Sequence, residues 1–322
     1  MNRSKKTQLR QKAFASSRNS YRLYGVQVSS DFALYEATPS RPNVKGAVRK
    51  ELTLQAFSST KPAMENWCEH DLGRAHGRQL KLQTHGELAA TAQGQNRQLV
   101  VQNVVSLYWQ SGDTAIYYRL DQSGSYDLLS FWFTHILLPL HLTLECNFNF
   151  LHASAVEIDQ GAILFLAGST GGKSTMANYF LHRGHGLVSD DKVSTFLEDS
   201  ACYAEPSCPF HRPWREHEVL GDRVEQFSSA KTPVRTIYLL ERNSTDVDIE
   251  IEELTGYRKF EALLSNYLYT FDFLHPHRLA WLAELAERTP IYRIRRPWDL
   301  SRLGDVYEAI CEHERSNTLE AR

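Results

Sequence analysis

The chain has 322 residues, of which 42% are hydrophobic, and a formal net charge of -2. This length allows one large domain or two ordinary ones, and the apolar content is sufficient for a packed core. A net charge so close to zero argues against nucleic acid as the main partner, because a nucleic-acid surface concentrates positive charge. We therefore expect an ordinary soluble globular protein.

The first 20 residues are locally basic, and no apolar segment of a secretory signal follows them. We expect residues 1–20 to form a flexible, solvated tail, with a docking arm as the alternative. Five cysteines are widely spread and form no C-x-x-C pair. This spacing predicts neither a disulfide framework nor a zinc site, and it favours a cytoplasmic location.

Residues 21–125 contain short apolar runs separated by polar breaks, a pattern typical of strands. We predict a β-rich N-terminal region in which most strand pairs are antiparallel. The clearest signals are strands at 24–28, 99–105 and 114–118, and turns at 93–96 and 111–113.

A second region is predicted to begin at residue 126, with the apolar segment Leu128–Leu144. Ser130, His135, Pro139 and His141 interrupt this segment. A membrane span needs about 20 predominantly apolar residues. We therefore predict a buried core helix that is kinked or broken near Pro139.

A phosphate-binding loop is predicted at Ala167–Thr175, which reads Ala-Gly-Ser-Thr-Gly-Gly-Lys-Ser-Thr. A strand at 152–158, a turn at 159–161 and a strand at 163–166 precede the loop, and a helix at 175–183 follows it. Such a motif requires this order of strand, loop and helix.

The residue types of the loop explain how it would hold phosphate. Glycines allow successive backbone N–H groups to face an anion, and the following helix directs its positive end to the same point. Lys173 supplies a mobile ammonium group, and Ser174 supplies a hydroxyl at the position that holds Mg²⁺. Ala167 stands where glycine is commoner, and the alternative is a turn that binds nothing. The predicted nucleotide-binding residues are Ala167, Gly168, Ser169, Thr170, Gly171, Gly172, Lys173, Ser174 and Thr175.

Two adjacent carboxylates, Asp190 and Asp191, follow a short predicted strand at 186–189. Ligands of open α/β sheets lie at the carboxyl ends of strands, so we expect this pair near the bound phosphates. There it could hold Mg²⁺ or accept a proton from a hydroxyl; the alternative is a helix cap or turn. Further on, the pattern predicts strands at 236–241 and 290–295 and helices at 257–269, 278–288 and 300–311.

One block of the chain resembles the catalytic core of HPr kinase/phosphorylase and its HPr-kinase-like relatives. It contains His152, the loop, Arg183-Gly184-His185 after the loop helix, and the Asp190-Asp191 pair, all at the family's spacing. The resemblance implies an α/β fold, with a P-loop HPr-kinase/PEP-carboxykinase-like catalytic domain at 126–322 after the β-rich region at 21–125.

The resemblance also implies a role for each matched residue. Lys173 would hold the β and γ phosphates, and Ser174 would bind Mg²⁺. Asp191 would be the general base, Asp190 would support it or bind the metal, and His152 would lie beside the γ phosphate.

Two departures from the family concern the metal and the substrate. Thr175 stands where the family often has glutamate, and residues 210–221 do not match the signature of the bifunctional enzymes. Within that region, Glu216 is the candidate for a second metal carboxylate. HPr as substrate and the reverse phosphorolysis therefore stay open.

The expected function is that of a kinase, dependent on ATP and Mg²⁺, which phosphorylates a hydroxyl, with a serine of a small protein or peptide as the leading acceptor. A phosphate loop, a metal ion and one aspartate are nearly sufficient for such a reaction, because phosphoryl transfer depends mainly on positioning and charge neutralisation. Region 21–125 could recognise the acceptor, and the chain could form a homo-oligomer; no nucleic-acid or membrane partner is expected. The alternatives are a nucleotide-binding regulatory protein without turnover and a kinase of a small-molecule hydroxyl.

Overall fold

The computed structural model describes residues 18–36, 48–57, 67–88, 94–213, 217–244 and 248–320. The chain divides into two compact units, and the N-terminal unit ends at Phe133 while the C-terminal unit continues from Thr134. The predicted start of the second region, residue 126, lies at the beginning of the helical segment that contains this division. Most of the predicted basic tail lies outside the described residues.

The described part of the N-terminal unit contains an eight-stranded sheet with the order β1-β2-β3-β8-β7-β6-β5-β4. The pairs β2–β3 and β3–β8 are parallel and the other pairs are antiparallel, as predicted for most of this region. The strands are β1 (Asn19–Leu23), β2 (Val26–Ser30), β3 (Lys50–Ala56), β4 (Trp67–Ala75), β5 (Arg78–His85), β6 (Asn96–Val101), β7 (Val105–Gln110) and β8 (Ala115–Leu120).

Two predicted strands of this unit were wrong in their bounds. Tyr24 and Gly25 form the turn between β1 and β2, with positive φ angles of 54° and 76°. The run 99–105 is a hairpin rather than one strand, because Asn103 adopts a φ of 62° and Val104 N–H donates to Val101 O at 3.0 Å. Valines on both sides of Gln102 and Asn103 concealed this turn. The predicted turn at 111–113 is confirmed, and the one at 93–96 lies partly outside the described residues.

The apolar segment 128–144 forms a helix with an irregular centre. Helix α1 (Tyr126–Trp132) continues through a π-helical turn (Phe133–Leu137) into α2 (Leu138–Cys146), which begins just before Pro139. Proline cannot donate a backbone hydrogen bond, and a wider turn is one way a helix accommodates such a residue. By length and composition this helix could cross a membrane, but 83% of its most apolar window is buried inside the structure, as in a core helix.

The C-terminal unit contains a nine-stranded mixed sheet. Strand β10 is antiparallel to both β11 and β12, while β17 pairs in parallel with both β11 and β19. Strands β11, β12, β17 and β19 therefore all end at one edge, here named the carboxyl edge. The strands outside the N-terminal unit are β9 (Asn149–Leu151), β10 (Ala153–Ile158), β11 (Gly161–Leu166), β12 (Leu187–Ser189), β13 (Val193–Glu198), β14 (Ala201–Glu205), β17 (Thr232–Asn243), β18 (Glu250–Glu253) and β19 (Ile291–Pro297), with a separate pair β15 (Phe210–His211) and β16 (Asp222–Arg223).

Helices cover both faces of this sheet. The helices are α3 (Lys173–His182), α4 (Tyr257–Leu264), α5 (His275–Arg288) and α6 (Leu303–Glu320). On β11, Leu164 packs into a core with α4 and α5, whereas Phe165 packs into a core with α3 and α6. Such two-sided burial explains why this strand is apolar without alternation. The unit is thus a mixed α/β structure.

The predicted helix 257–269 is shorter in the structure, because α4 ends at Leu264. The chain then leaves the helix, and Leu268 N–H donates to Phe150 O at 2.9 Å. Asn266 O accepts from His152 N–H at 2.7 Å, so His152 lies between β9 and β10, and the strand predicted at 152–158 begins one residue later, at Ala153. These two departures from the pattern bring His152 and the 265–269 segment together.

Candidate functional site

The predicted phosphate loop lies at the carboxyl edge, between β11 and α3. Its backbone depends on glycine at two positions. A Cβ on Gly171 would lie 2.5 Å from Ala167 Cβ, and one on Gly172 would lie 2.3 Å from Arg296 Nη2. Gly172 also has a positive φ of 87°, which glycine adopts without strain. The loop therefore requires the residue types on which its prediction was based.

Lys173 is folded back along this loop. The residue is 4% exposed, and its Nζ donates to Ala167 O at 2.8 Å and to Gly168 O at 3.4 Å. The first turn of α3 carries no acidic residue that would cancel the positive end of the helix dipole. An anion in the loop would offer the ammonium a charged acceptor in place of two carbonyls, which gives a stronger hydrogen bond. Gly168, Ser169 and Thr170 are exposed at the rim of the loop, and Thr175 is half-buried.

Asp190 forms the buried floor of the site. Its Oδ1 accepts from Ser154 Oγ at 2.6 Å, from Ser174 Oγ at 3.1 Å and from Asp191 N–H at 3.0 Å. Its Oδ2 accepts from Arg212 N–H at 3.1 Å. His211 Nδ1 also lies 3.0 Å from this oxygen, although it is not aligned for a hydrogen bond. Donors thus surround a carboxylate whose side chain is 3% exposed.

The contact between Ser174 and Asp190 joins the phosphate loop to the carboxylate pair. A loop hydroxyl and the carboxylate after a neighbouring strand are the protein ligands that P-loop enzymes use for Mg²⁺, with phosphates and water completing the shell. Among the described residues, no three His, Cys, Asp or Glu side chains cluster as an all-protein metal site. Ser174 and Asp190 therefore fit a magnesium ion that also binds phosphate. Glu216, the predicted second carboxylate, lies outside the described residues.

Asp191 has a more open environment than its neighbour. It adopts a φ of 71°, in a three-residue turn closed by Lys192 N–H donating to Asp190 O at 2.9 Å. Positive φ is costly for a residue with a Cβ and is often found at functional sites. Asp191 Oδ1 lies 3.5 Å from His152 Nε2, and their side chains are 15% and 29% exposed. The structure thus brings His152, Asp190 and Asp191 together, while the roles predicted for them stay predictions.

Lys192 was missed by the sequence analysis. Its Nζ donates to Asp191 Oδ2 at 2.6 Å, and the lysine side chain is 10% exposed. An adjacent cation favours the ionised form of a carboxylate and so weakens it as a base. A lysine directly after two aspartates is common on surfaces, and only its burial here marks it as part of the site.

Two arginines from other strands support the loop, and neither was predicted. Arg242, near the end of β17, donates to Thr170 O at 2.5 Å, and Arg296, near the end of β19, donates to Gly171 O at 2.9 Å. Trp298 lies against both guanidinium groups, whose carbons are 3.9 Å and 5.1 Å from its ring centroid. Burial, followed by the charge of Arg242, lowers the pKa of Arg296. The arginines add positive charge beside the predicted phosphate site.

Two buried aromatic groups adjoin the carboxylates. Burial, followed by the charges of Arg212 and Lys192, lowers the pKa of His135 to about 3, so this imidazole is neutral. Burial, together with the charge of Asp191, raises the pKa of Tyr269 well above its ordinary value. The Tyr269 hydroxyl is buried and has no hydrogen-bond partner among the described residues. It is therefore a protonated donor near Asp191.

Comparisons with known proteins add little to this geometry. No protein-family model and no curated protein matches the chain. The structure of the Hpr(Ser) kinase/phosphatase from Coxiella burnetii is similar to 52% of this chain and to 97% of its own chain, with 14% identity and a TM-score of 0.33. A likeness with so low a TM-score carries no conclusion about fold, relationship or function.

Proposed function

We propose that the C-terminal unit is an HPr-kinase-like kinase, dependent on ATP and Mg²⁺, that phosphorylates a hydroxyl of a small protein or peptide, with serine as the leading acceptor. The single observation that carries this proposal is the 3.1 Å contact between Ser174 Oγ and Asp190 Oδ1. It links the phosphate loop to a carboxylate pair whose second member is accessible beside a histidine. A glycine-rich turn without a ligand would not need this connection.

Each residue has a role in the proposed reaction. Lys173 would exchange the loop carbonyls for the β and γ phosphates, while Ser174 and Asp190 would hold Mg²⁺. Bound MgATP would supply the phosphoryl group, and its Mg²⁺ would neutralise negative charge on the phosphates. Asp191 would accept the proton of the acceptor hydroxyl, and His152, 3.5 Å away, would orient that carboxylate.

A second candidate function is nucleotide binding without turnover. The ion pair between Lys192 and Asp191 favours it, because a carboxylate held by an ammonium group at 2.6 Å is a poorer base. The kinase proposal accommodates the same pair, since phosphoryl transfer has a loose transition state that asks little of a base. Recognition of the acceptor by the N-terminal unit, and a small-molecule acceptor, stay predictions.

The proposal is tested by incubating the full chain with MgATP labelled in the γ phosphate and a panel of serine-containing peptides. We expect label on serine with the wild type, none with Lys173→Ala, and a strong reduction with Asp191→Asn. Asp248→Asn, an exposed carboxylate far along the chain, is the matched control. Calorimetry with MgATP separates binding from transfer. Binding by the wild type without transfer to any acceptor would favour the second candidate, and unchanged transfer by Lys173→Ala would refute the loop assignment.

A further inference from the structure

A cavity lies in the C-terminal unit away from the site above, and none of its lining residues belongs to that site. Its volume is about 270 Å³, and β9, α5 and the segment after α4 contribute to its walls. Small-molecule sites typically have volumes of roughly 300–1,000 Å³, so this cavity suits only a small ligand. Its apolar lining includes Phe148, Tyr267, Leu274 and Trp281.

The cavity contains a buried arginine that lacks an acceptor. Arg278 is 7% exposed, and its Nε and Nη1 are buried without a hydrogen-bond partner among the described residues. Its guanidinium lies against the ring of Tyr267, with its carbon 5.5 Å from the ring centroid. The Nε1 of Trp281, another lining residue, is likewise buried without a partner. A buried charge without an acceptor is costly, and each unpaired donor adds to that cost.

The position of Arg278 on its helix adds a second reason to expect an anion. Arg278 stands near the start of α5, a 14-residue helix whose first turn carries no acidic residue. The N-terminal end of a helix is electropositive, so a cation is unfavourable there and an anion is favourable. The helix end, the guanidinium and the indole N–H of Trp281 therefore all favour negative charge in the cavity.

The remaining lining residues indicate which anion fits. Glu284 contributes a carboxylate to the wall, and it forms an ion pair with Arg288 on the same helix. A doubly charged phosphate would be repelled by Glu284 more strongly than a singly charged carboxylate. The hydroxyl of Tyr267 is already used, since it donates to Asn149 Oδ1 at 2.9 Å. The aromatic walls then favour an apolar body.

We propose that this cavity binds a small monocarboxylate with an apolar body, through Arg278 and the indole N–H of Trp281. Planar, bidentate recognition of a carboxylate is the interaction to which a guanidinium is best suited. The proposal does not depend on nucleotide binding or on kinase activity.

The test uses the full-length protein without nucleotide and benzoate as the probe, with binding followed by ligand-observed NMR and calorimetry. Arg278→Met should weaken benzoate binding by roughly tenfold or more, the loss expected when a charge-assisted hydrogen bond is removed. Arg278→Lys should retain part of the affinity. Arg258→Met, an exposed arginine on α4 that pairs with Glu252, is the control and should bind benzoate like the wild type.

Two further measurements could overturn the proposal. Because Nε and Nη1 of Arg278 have no hydrogen-bond partner among the described residues, Arg278→Met should not lower the melting temperature. A clear loss of stability would show that the arginine has a structural role. Inorganic phosphate should bind more weakly than benzoate, and tighter phosphate binding would refute a carboxylate ligand. Absence of benzoate binding to the wild type at millimolar concentration would refute the site.

Discussion

Two neighbouring parts of the candidate site differ sharply: the floor around Asp190 and the rim around Asp191. The floor carboxylate is 3% exposed and accepts four hydrogen bonds, whereas the rim carboxylate is 15% exposed and faces His152 and Lys192. Residues adjacent in sequence therefore have opposite environments. In the proposed function the two carboxylates accordingly have different roles, with Asp190 binding the metal and Asp191 meeting the acceptor.

The backbone explains this difference. Asp190 directly follows β12, whose three residues are all buried, and its side chain stays among the donors of the floor. The positive φ of Asp191 then turns the chain, so that its carboxylate lies beside His152 instead. Without this turn, the carboxylates of Asp190 and Asp191 would have more similar surroundings. The predictions below test whether floor and rim are separate in function.

The largest effect is expected from Asp190→Asn. Asp190 now accepts hydrogen bonds from Ser154, Ser174 and Arg212 N–H, whereas the N–H groups of an asparagine would face one of these donors. Asparagine also lacks the negative charge that would hold Mg²⁺. We expect turnover at millimolar Mg²⁺ to fall by more than roughly 10⁴-fold and unfolding free energy to fall by about 1–3 kcal/mol. Turnover against Mg²⁺ concentration and urea unfolding measure both, with Asp248→Asn as control. Wild-type Mg²⁺ dependence in Asp190→Asn would contradict a metal-binding floor.

Asp191→Asn should have the next largest effect, because it removes a proton acceptor while leaving the floor intact. A positioned base contributes roughly 10²–10⁴-fold in rate, so turnover should fall by that factor while ATP affinity changes much less. Steady-state kinetics combined with calorimetry separates the two. If Asp190→Asn and Asp191→Asn lost equal activity, and extra Mg²⁺ rescued both, floor and rim would not be distinct.

Substitution of the arginines that support the loop should have smaller effects, and the more buried arginine should give the larger of the two. Arg296 is 3% exposed and donates to Gly171 O, whereas Arg242 is exposed. Arg296→Ala should weaken ATP binding by roughly tenfold or more, and Arg242→Ala by only a few-fold because water screens its charge. Titration with a fluorescent ATP analogue checks this order. A larger effect at Arg242 would place the stronger phosphate contact at the open side.

The last prediction concerns the dependence of stability on pH, through the buried His135, whose pKa responds to the charges of Arg212 in the floor and Lys192 at the rim. Its pKa is lowered from 6.5 to about 3, so the unfolded chain binds its proton first as pH falls. The stabilisation is complete above pH 6.5 and is lost progressively below it, at about 1.4 kcal/mol per pH unit. Urea unfolding between pH 7.5 and pH 5 should show a flatter profile for His135→Leu than for the wild type or the exposed control His85→Gln.

Local sequence patterns predicted the presence of helices and strands in the C-terminal unit better than the residues at which they end. Strand β11, the loop and α3 lie where apolar runs, glycines and Lys173 predicted them. The helix predicted at 257–269 ends early, because Leu268 N–H donates to Phe150 O and Asn266 O accepts from His152 N–H. In the N-terminal unit, an asparagine with positive φ divided one apolar run into β6 and β7. Periodicity could not reveal the end of the helix, since it depends on partners distant in sequence, or the turn, since it depends on the backbone conformation of a single residue.

The sequence by itself determined the loop and the candidate pair Asp190 and Asp191, because both are contiguous and their residue types follow from backbone geometry and charge. Only the tertiary structure decided which carboxylate is buried and that Lys192 pairs with the other. The tertiary structure alone also decided that Arg242 and Arg296 reach the loop from separate strands. The physical reason is that burial and ion pairing depend on long-range packing, which brings the ends of β11, β12, β17 and β19 to one edge.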